Sequence, residues 1–229
     1  MLNPRGGYES DVTVQRIDDA HYRIFTGTAA IRRDLGWLSR HLDPDLDGER
    51  VTLRDSTEDF ATIGLMGPEA ARIATAVGAG ALNDLGYFRV GEAEIAGAHV
   101  RAVRLSYVGE VGWEITCKAS NAGRIYDALY AAGARPAGIY AQTSMRIEKG
   151  YRAMGHELDS DVTPLEAGLE FAVAWDSDFI GREALLRDLT ADRLRCGPTG
   201  PGAKFERGTP QIELHAGLSA SIDHFEWLG

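Results

Sequence analysis

Cysteine is nearly absent from this sequence: Cys117 and Cys196 are the two in 229 residues. Two thiols make no disulfide framework, and neither stands in a Cys-x-x-Cys pair that would suggest a structural zinc site. They read as ordinary thiols of a reducing compartment, so the expected location is cytoplasmic. No run approaches eighteen apolar residues, so no membrane-spanning helix is expected. The opening Met1–Gly7 lacks a basic stretch followed by an apolar core, so no secretory signal is expected either. The six histidines show no His-Glu-x-x-His spacing, and no metal site is expected. Lysine is scarce as well: three of the 24 basic residues are lysines and 21 are arginines, always-charged forks suited to carboxylate recognition.

Several nucleotide and hydrolase signatures are missing too. There is no Gly-x-x-x-x-Gly-Lys-Ser/Thr loop and no Gly-x-Ser-x-Gly elbow. Gly78-Ala79-Gly80 comes nearest to a dinucleotide fingerprint, but its third glycine is misplaced and no strand clearly leads into it. The net charge of −10 disfavours nonspecific binding to nucleic acid, so neither nucleic acid nor membrane is an expected partner.

What is present is ordinary globular composition, 44% hydrophobic and 25% charged, in a chain long enough to bury a core. Asp11–Ile17 alternates like a half-buried strand, Asp18-Asp19 turns, and His21–Thr26 pairs back. Ile31, Leu35, Leu38 and Leu42 then follow at helical spacing, with Trp37 widening the face and Asp43-Pro44 ending it. Val51–Leu53 and Phe60–Met66 read as strands, and Gly67-Pro68 opens a helix through Ala70, Ile73 and Ala74. Tyr87–Val90, His99–Leu105 and Trp113–Thr116 are further strand candidates, with a glycine-punctuated corner at Ser106–Gly112. Helices are expected at 121–133, at 139–149 and from Gly181. Strand–glycine–helix units in this antiparallel setting predict an α+β fold rather than a doubly wound sheet. Residues 188–229 hold 6 glycines and 3 prolines in 42 positions and show no sustained period, so they read as a loop-rich tail.

Two segments carry candidate chemistry. In Gly6-Gly7-Tyr8-Glu9-Ser10-Asp11, a glycine pair that lets the backbone turn or approach a ligand closely precedes a carboxylate at a strand's entrance. In Tyr107-Val108-Gly109-Glu110, an aromatic face stands beside a carboxylate, a pair that can stack on a flat heterocycle and accept its N–H donors. A turn residue at Asp11 and a solvated hairpin carboxylate at Glu110 are the bland alternatives.

Together these segments give the sequence a family likeness. Asn3-x-x-Gly-Gly-x-x-x-Asp11-Val-Thr-Val, Gly64-Leu-Met-Gly-Pro68, Ser106-Tyr-Val-Gly-Glu110-x-Gly-Trp-Glu-Ile, Ser144-Met-Arg146-Ile-Glu148-Lys-Gly-Tyr151 and Gly155-His-Glu-Leu followed by Thr163-Pro-Leu-Glu-Ala-Gly-Leu stand in this order. The chain resembles the folate-binding aminomethyltransferase superfamily, which includes the glycine-cleavage enzyme and the C-terminal folate modules of dimethylglycine and sarcosine dehydrogenases. Ser10–Val14 and Arg146–Arg152 look closer in wording to the dehydrogenase modules.

The resemblance implies tetrahydrofolate as cofactor and transfer of a one-carbon unit to it from a small aminomethyl or iminium donor. A separate flavin oxidase chain is a possible partner, since no flavin-binding segment is present here. It implies that Asp11 is catalytic, lying beside the reacting amine nitrogens, and that Glu110 holds the pterin edge with Tyr107 beside it. Thr13 shares a strand face with Asp11, Gly27 ends the pairing strand where a ligand could approach, and Arg146 meets a carboxylate. That carboxylate is either near Glu148 or on folate's glutamate tail, unless Arg146 is a buried ion-pair residue. The implied organisation is a folate-binding domain over 1–187, starting almost at the Asn3 landmark without the family's first strand and helix. The 188–229 tail stands where a small β domain is usual. Gln142-Thr143 replaces the Arg-Asp pair common in the glycine-cleavage enzyme. A folate binder without transfer activity, or an inactive fragment, is the alternative reading.

Overall fold

Residues 13–25 fold back on themselves as the alternation predicts: β1 (Thr13–Arg16) pairs antiparallel with β2 (Tyr22–Phe25), Val14 opposite Ile24. Asp18 closes the turn by accepting the backbone N–H groups of Ala20 and His21 on Oδ1, both at 2.9 Å. The computed structural model describes residues 1–43, 45–46 and 49–190. Helix α1 (Ile31–His41) follows, and a minimal ladder joins β3 (Asp45–Leu46) to β4 (Glu49–Arg50).

The main sheet comes next. β5 (Phe60–Met66) leads into α2 (Ala70–Ala76), which begins just after the Gly67-Pro68 turn. β6 (Val90–Ile95), β7 (Ala98–Val103) and β8 (Gly112–Lys118) complete a four-stranded sheet in the order β5-β8-β7-β6, antiparallel at every pairing. The β6–β7 turn is two residues, Ala96 and Gly97, both at positive φ (51° and 69°). That is the backbone a tight hairpin needs to match the sheet's twist. Three helices follow: α3 (Ala122–Ala131), α4 (Ile139–Glu148) and α5 (Arg182–Thr190). The architecture is α+β with antiparallel sheets and flanking helices.

Two strand expectations shift. Val51–Leu53 joins no ladder, and Leu53 instead lines the large cleft described below. Tyr87–Phe88 lies outside β6, whose Gly-Glu-Ala-Glu interior offers almost none of the β-branched residues that mark a strand. The expected domain edge at 187 falls within α5, and most of the loop-rich tail, with Cys196, lies outside the described residues.

The apolar core is built by the sheet, α2 and α3. Trp113, Ile95, Val100, Ala102, Ile115 and Ile125 are all buried to within about 1% of complete burial. Burying one such side chain is worth roughly 1.5–3 kcal/mol. The indole of Trp113 donates to the Leu82 carbonyl at 3.0 Å, so its one polar atom is satisfied inside the core.

Candidate active site

The amphipathic face of α1 does not enter that core. Trp37, Leu38 and Leu42 are half-buried and form one wall of a cleft of about 1090 Å³. The opposite walls come from the sheet end at Tyr87, Phe88 and Tyr107, and from the irregular segment between α4 and α5, including Tyr151 and Phe171. Among the lining side chains the permanent charges are Asp11, Lys149 and Arg152.

The backbone at Asp11 is fixed from two sides. On one side the Asn3 amide closes a turn: its Oδ1 accepts N–H groups from Arg5 at 2.9 Å and Gly7 at 3.2 Å, and its Nδ2 donates to the Ser160 carbonyl at 2.9 Å. Gly6 is at φ +88°, and a Cβ on Gly7 would stand 2.1 Å from the Ser160 oxygen. The glycine pair therefore serves close approach of the chain to its own 159–162 segment, where the sequence allowed approach of a ligand. Tyr8 N–H seals that contact on the Asp159 and Val162 carbonyls at 3.0 and 3.1 Å.

On the other side stands Asp34, in the first turn of α1 and 1% exposed. Its Oδ2 accepts the hydroxyl of Ser10 at 2.7 Å and that of Thr26, and its Oδ1 accepts Arg33 Nε at 3.1 Å. One carboxylate thus ties the entrance of β1, the exit of β2 and the start of α1. Burial opposes its ionisation, but the hydroxyl donors and the Arg33 guanidinium outweigh burial and hold its carboxyl below the usual range. Sequence reading passed over Asp34, although it falls three residues after Ile31 and four before Leu38, inside the apolar stripe. A carboxylate in that position is a signal of a buried partner.

Asp11 and Tyr107, from two distant motifs, both line this cleft. The Tyr107 hydroxyl donates to the Arg152 carbonyl at 2.6 Å, and its ring stacks on Tyr151 with centroids 6.0 Å apart. Burial raises the Tyr107 phenol, and Asp11 and Glu157 push it up while Arg146 pulls it down. Tyr8, also on the wall, is raised by burial and then by Asp11, against Arg152. Both phenols therefore keep their protons at neutral pH and remain donors. Phe88 sits at the cleft in the left-handed region, φ 58°, where a bulky residue is strained. Tyr8, Lys149, Tyr151 and Arg152 were not singled out as site residues from sequence, although all four stand within or beside the quoted motifs.

The other sequence candidates stand away from the wall. Glu110 is exposed on the corner that carries Tyr107 and does not line the cleft. Thr13 pairs with Phe25 at the start of β1. The ladder begins only there, so the alternation that would align Thr13 with Asp11 does not reach back to position 11. Gly27 is exposed with an extended backbone, φ −63°, and caps a 3-10 turn, Thr28–Ala30. Arg146 is 3% exposed in α4 and binds the Glu157 carboxylate and the Tyr151 carbonyl. Of the readings open for Arg146, the buried ion pair is the one found, with a partner further along the chain than Glu148. Among the described residues, no group of three or more His, Cys, Asp or Glu side chains is placed to hold a metal ion, and no helix is long and apolar enough to cross a membrane.

This geometry has known counterparts. The chain is 40% identical over 194 residues to an aminomethyltransferase of Methylococcus capsulatus, covering 82% of this chain and 51% of that protein. It is 31% identical over 193 residues to human mitochondrial dimethylglycine dehydrogenase, covering 81% of this chain and 22% of that one. The fold matches the crystal structure of glycine cleavage system aminomethyltransferase T from Bartonella henselae with a TM-score of 0.68 at 23% identity, over 83% of this chain and 51% of that chain. The chain thus spans about half the length of the aminomethyltransferases it matches. The family model described as the GCVT N-terminal domain matches residues 1–177, and the chain belongs to that family.

Proposed function

We propose that the cleft binds tetrahydrofolate and that the protein takes part in folate-dependent one-carbon transfer from a small aminomethyl or iminium donor. The observation that carries this reading is that Asp11 and Tyr107 line one cleft rich in aromatic side chains. The cleft suits the cofactor by shape and chemistry. At about 1090 Å³ it has room for a drug-sized ligand. Its rings offer stacking faces for a flat heterocycle, and Lys149 and Arg152 offer cations to anionic carboxylates. Bound folate supplies the amine nucleophile.

In this reading Asp11 takes the proton that the amine nitrogen loses as it bonds to the donor carbon, or steadies positive charge there. The Asp34 network holds the backbone beside it in register, and the apolar walls exclude water. Glu110 as pterin-edge acceptor, and Thr13, Gly27 and Arg146 as cofactor contacts, remain parts of the proposal carried by the family likeness; Arg146 would act through the Glu157 pair it already makes. The domain reading, a folate-binding unit over 1–187, is proposed on the same grounds, as are a cytoplasmic location and a flavin oxidase chain that generates the donor. Overall identity does not favour the dehydrogenase module over the aminomethyltransferase, so the donor class is left at aminomethyl or iminium.

The test is direct. Trp37 lines the cleft, so tetrahydrofolate titration should give a saturable change in tryptophan fluorescence. Asp11→Asn should keep that binding within a few-fold while lowering methylene-folate formation by about a hundredfold or more. Unchanged turnover in Asp11→Asn would remove the residue from the chemistry, and no saturable fluorescence change would remove folate from the cleft.

A further inference from the structure

A second cavity, of about 330 Å³, lies at the other end of the molecule's main sheet, under the β1–β2 hairpin. Its cations come from four elements: Arg23 on β2, Arg101 on β7, Lys118 on β8 and Arg124 on α3. Among the described residues no aspartate or glutamate lines it, in a chain that carries ten more acidic than basic residues. The neutralisation these groups receive is slight. Arg101 is paired with Glu92 at 2.5 Å, and His99 shares the same carboxylate at 3.3 Å. Arg124 bonds only neutral oxygens, Asn121 Oδ1 at 2.9 Å and the Gly97 carbonyl at 3.4 Å. Among the described residues, Arg23 lies with its guanidinium 3.8 Å above the Phe60 ring and meets no carboxylate, and Lys118 makes no ion pair. Glu114, two positions back from Thr116 along β8, does not line the cavity.

Two further observations point to a missing anion. Arg23 is pulled down in pKa by burial and by the like charge of Arg101, so the two guanidiniums are held together at an electrostatic cost. Gln15, 3% exposed and opposite Arg23 in the hairpin register, has both its amide nitrogen and its amide oxygen buried without a partner. Strand alternation places Gln15 on the face that also carries Ile17 and Arg23, both of which line the cavity, while Gln15 itself does not line it. A buried amide left unsatisfied costs about 1–3 kcal/mol and calls for a polar partner.

We propose that this cavity is a binding site for a compact oxyanion of the phosphate type, separate from the cleft that holds Asp11. Guanidinium forks arriving from three elements suit a tetrahedral oxyanion better than a flat carboxylate. The volume admits a phosphate group with a small substituent. Bound there, the anion would pair Arg23 and Arg124 and relieve the repulsion with Arg101.

The experiment uses the whole chain at low ionic strength. Equilibrium dialysis with radiolabelled inorganic phosphate should give one site per chain, and thermal unfolding should shift upward with phosphate but not with sodium chloride at matched ionic strength. Repeating the titration with glycerol 3-phosphate separates a free anion from a phosphorylated metabolite, according to which binds tighter. Arg23→Gln should weaken binding about tenfold, the loss of a charged hydrogen bond. Lys118→Gln, on the exposed rim and harmless to the fold, should weaken it about threefold. Arg135→Gln, far from the cavity beside Tyr130, should leave it unchanged. Absence of a stoichiometric site, or equal phosphate binding in wild type, Arg23→Gln and Lys118→Gln, would overturn the proposal.

Discussion

The two halves of this molecule are held together by different means. Every member of the main buried apolar cluster lies between Leu65 and Leu129, in the four-stranded sheet and the helices against it. Of the six buried polar or charged side chains among the described residues, five lie outside that span: Asn3, Ser10, Gln15, Asp34 and Arg146. The sheet half is a dry core in which burial is the main stabiliser. The cleft half buries few apolar side chains, Leu158, Leu165 and Leu185 among them, leaves others half-exposed around a cavity, and is tied by the buried hydrogen bonds of Asn3, Ser10, Asp34 and Arg146. The contrast follows from purpose as well as composition. A cavity of this size removes the apolar contacts that would otherwise hold its walls, so directional bonds must fix them instead.

The sharpest way to break the contrast is to remove one anchor from each half. Trp113→Ala should cost about 3–5 kcal/mol in denaturant unfolding, through lost burial and the cavity left behind. Asp34→Ala should cost about 3 kcal/mol, because it strands the Ser10 and Thr26 hydroxyls and Arg33. The two variants should differ in kind. Chemical shifts of the 90–118 sheet should survive in Asp34→Ala, whereas those of Ser10, Asp11 and Thr26 should move; the reverse pattern would erase the distinction drawn here.

Acid gives a finer test. Asp34 is held below its unfolded value near 3.9, so its contribution is full above that pH and is lost as pH falls through the lower folded value. Wild-type stability should therefore decline below about pH 4, and Asp34→Asn should flatten that part of the curve. Glu114, in the sheet half, is displaced the other way: burial raises its carboxyl. Its ionised form is disfavoured in the folded state, so stability is lost as pH rises from the unfolded value through the raised folded one. Glu114→Gln should raise the melting temperature at pH 7 by a few degrees, on the order of 1 kcal/mol. The smallest effect is at the cleft's edge. Phe171 is 86% exposed, and Phe171→Ala should change stability by no more than about 0.5 kcal/mol while weakening tetrahydrofolate binding measurably.

The same division governs what could be read from the residues. Phe60–Met66 and the pairing of β1 with β2 were legible because alternation reports a strand with one buried face. Ile31–His41 was legible as a helix, but its period says nothing about whether the face meets a core or a cavity wall. Asp11 and Tyr107 were found through motifs, and that they share a wall depends on contacts between distant segments. Asp34 stood inside the apolar stripe of Ile31 and Leu38, a signal of burial, but its partners Ser10 and Thr26 lie on separate segments that the helical period does not report. Gly7 was read as room for a ligand, whereas the space beside it is filled by Ser160, a partner more than 150 positions away. Phe88 was read as strand because propensity cannot anticipate a left-handed backbone imposed by its surroundings.

That last long-range contact sets an order of events. Gly7 docks on Ser160, and a Cβ on Gly181 would stand 2.5 Å from the Asn3 oxygen, so the first and last described segments clasp one another. The sheet half needs only the chain from 60 to about 134 to close its core. During synthesis that half can collapse on local and hairpin contacts while the first ten residues still wait for their partners. The cleft is assembled only after residue 181 has emerged. Until then the segment that carries Asp11 lacks its partners, and a nascent chain interrupted before α5 would carry a finished sheet with no finished cleft.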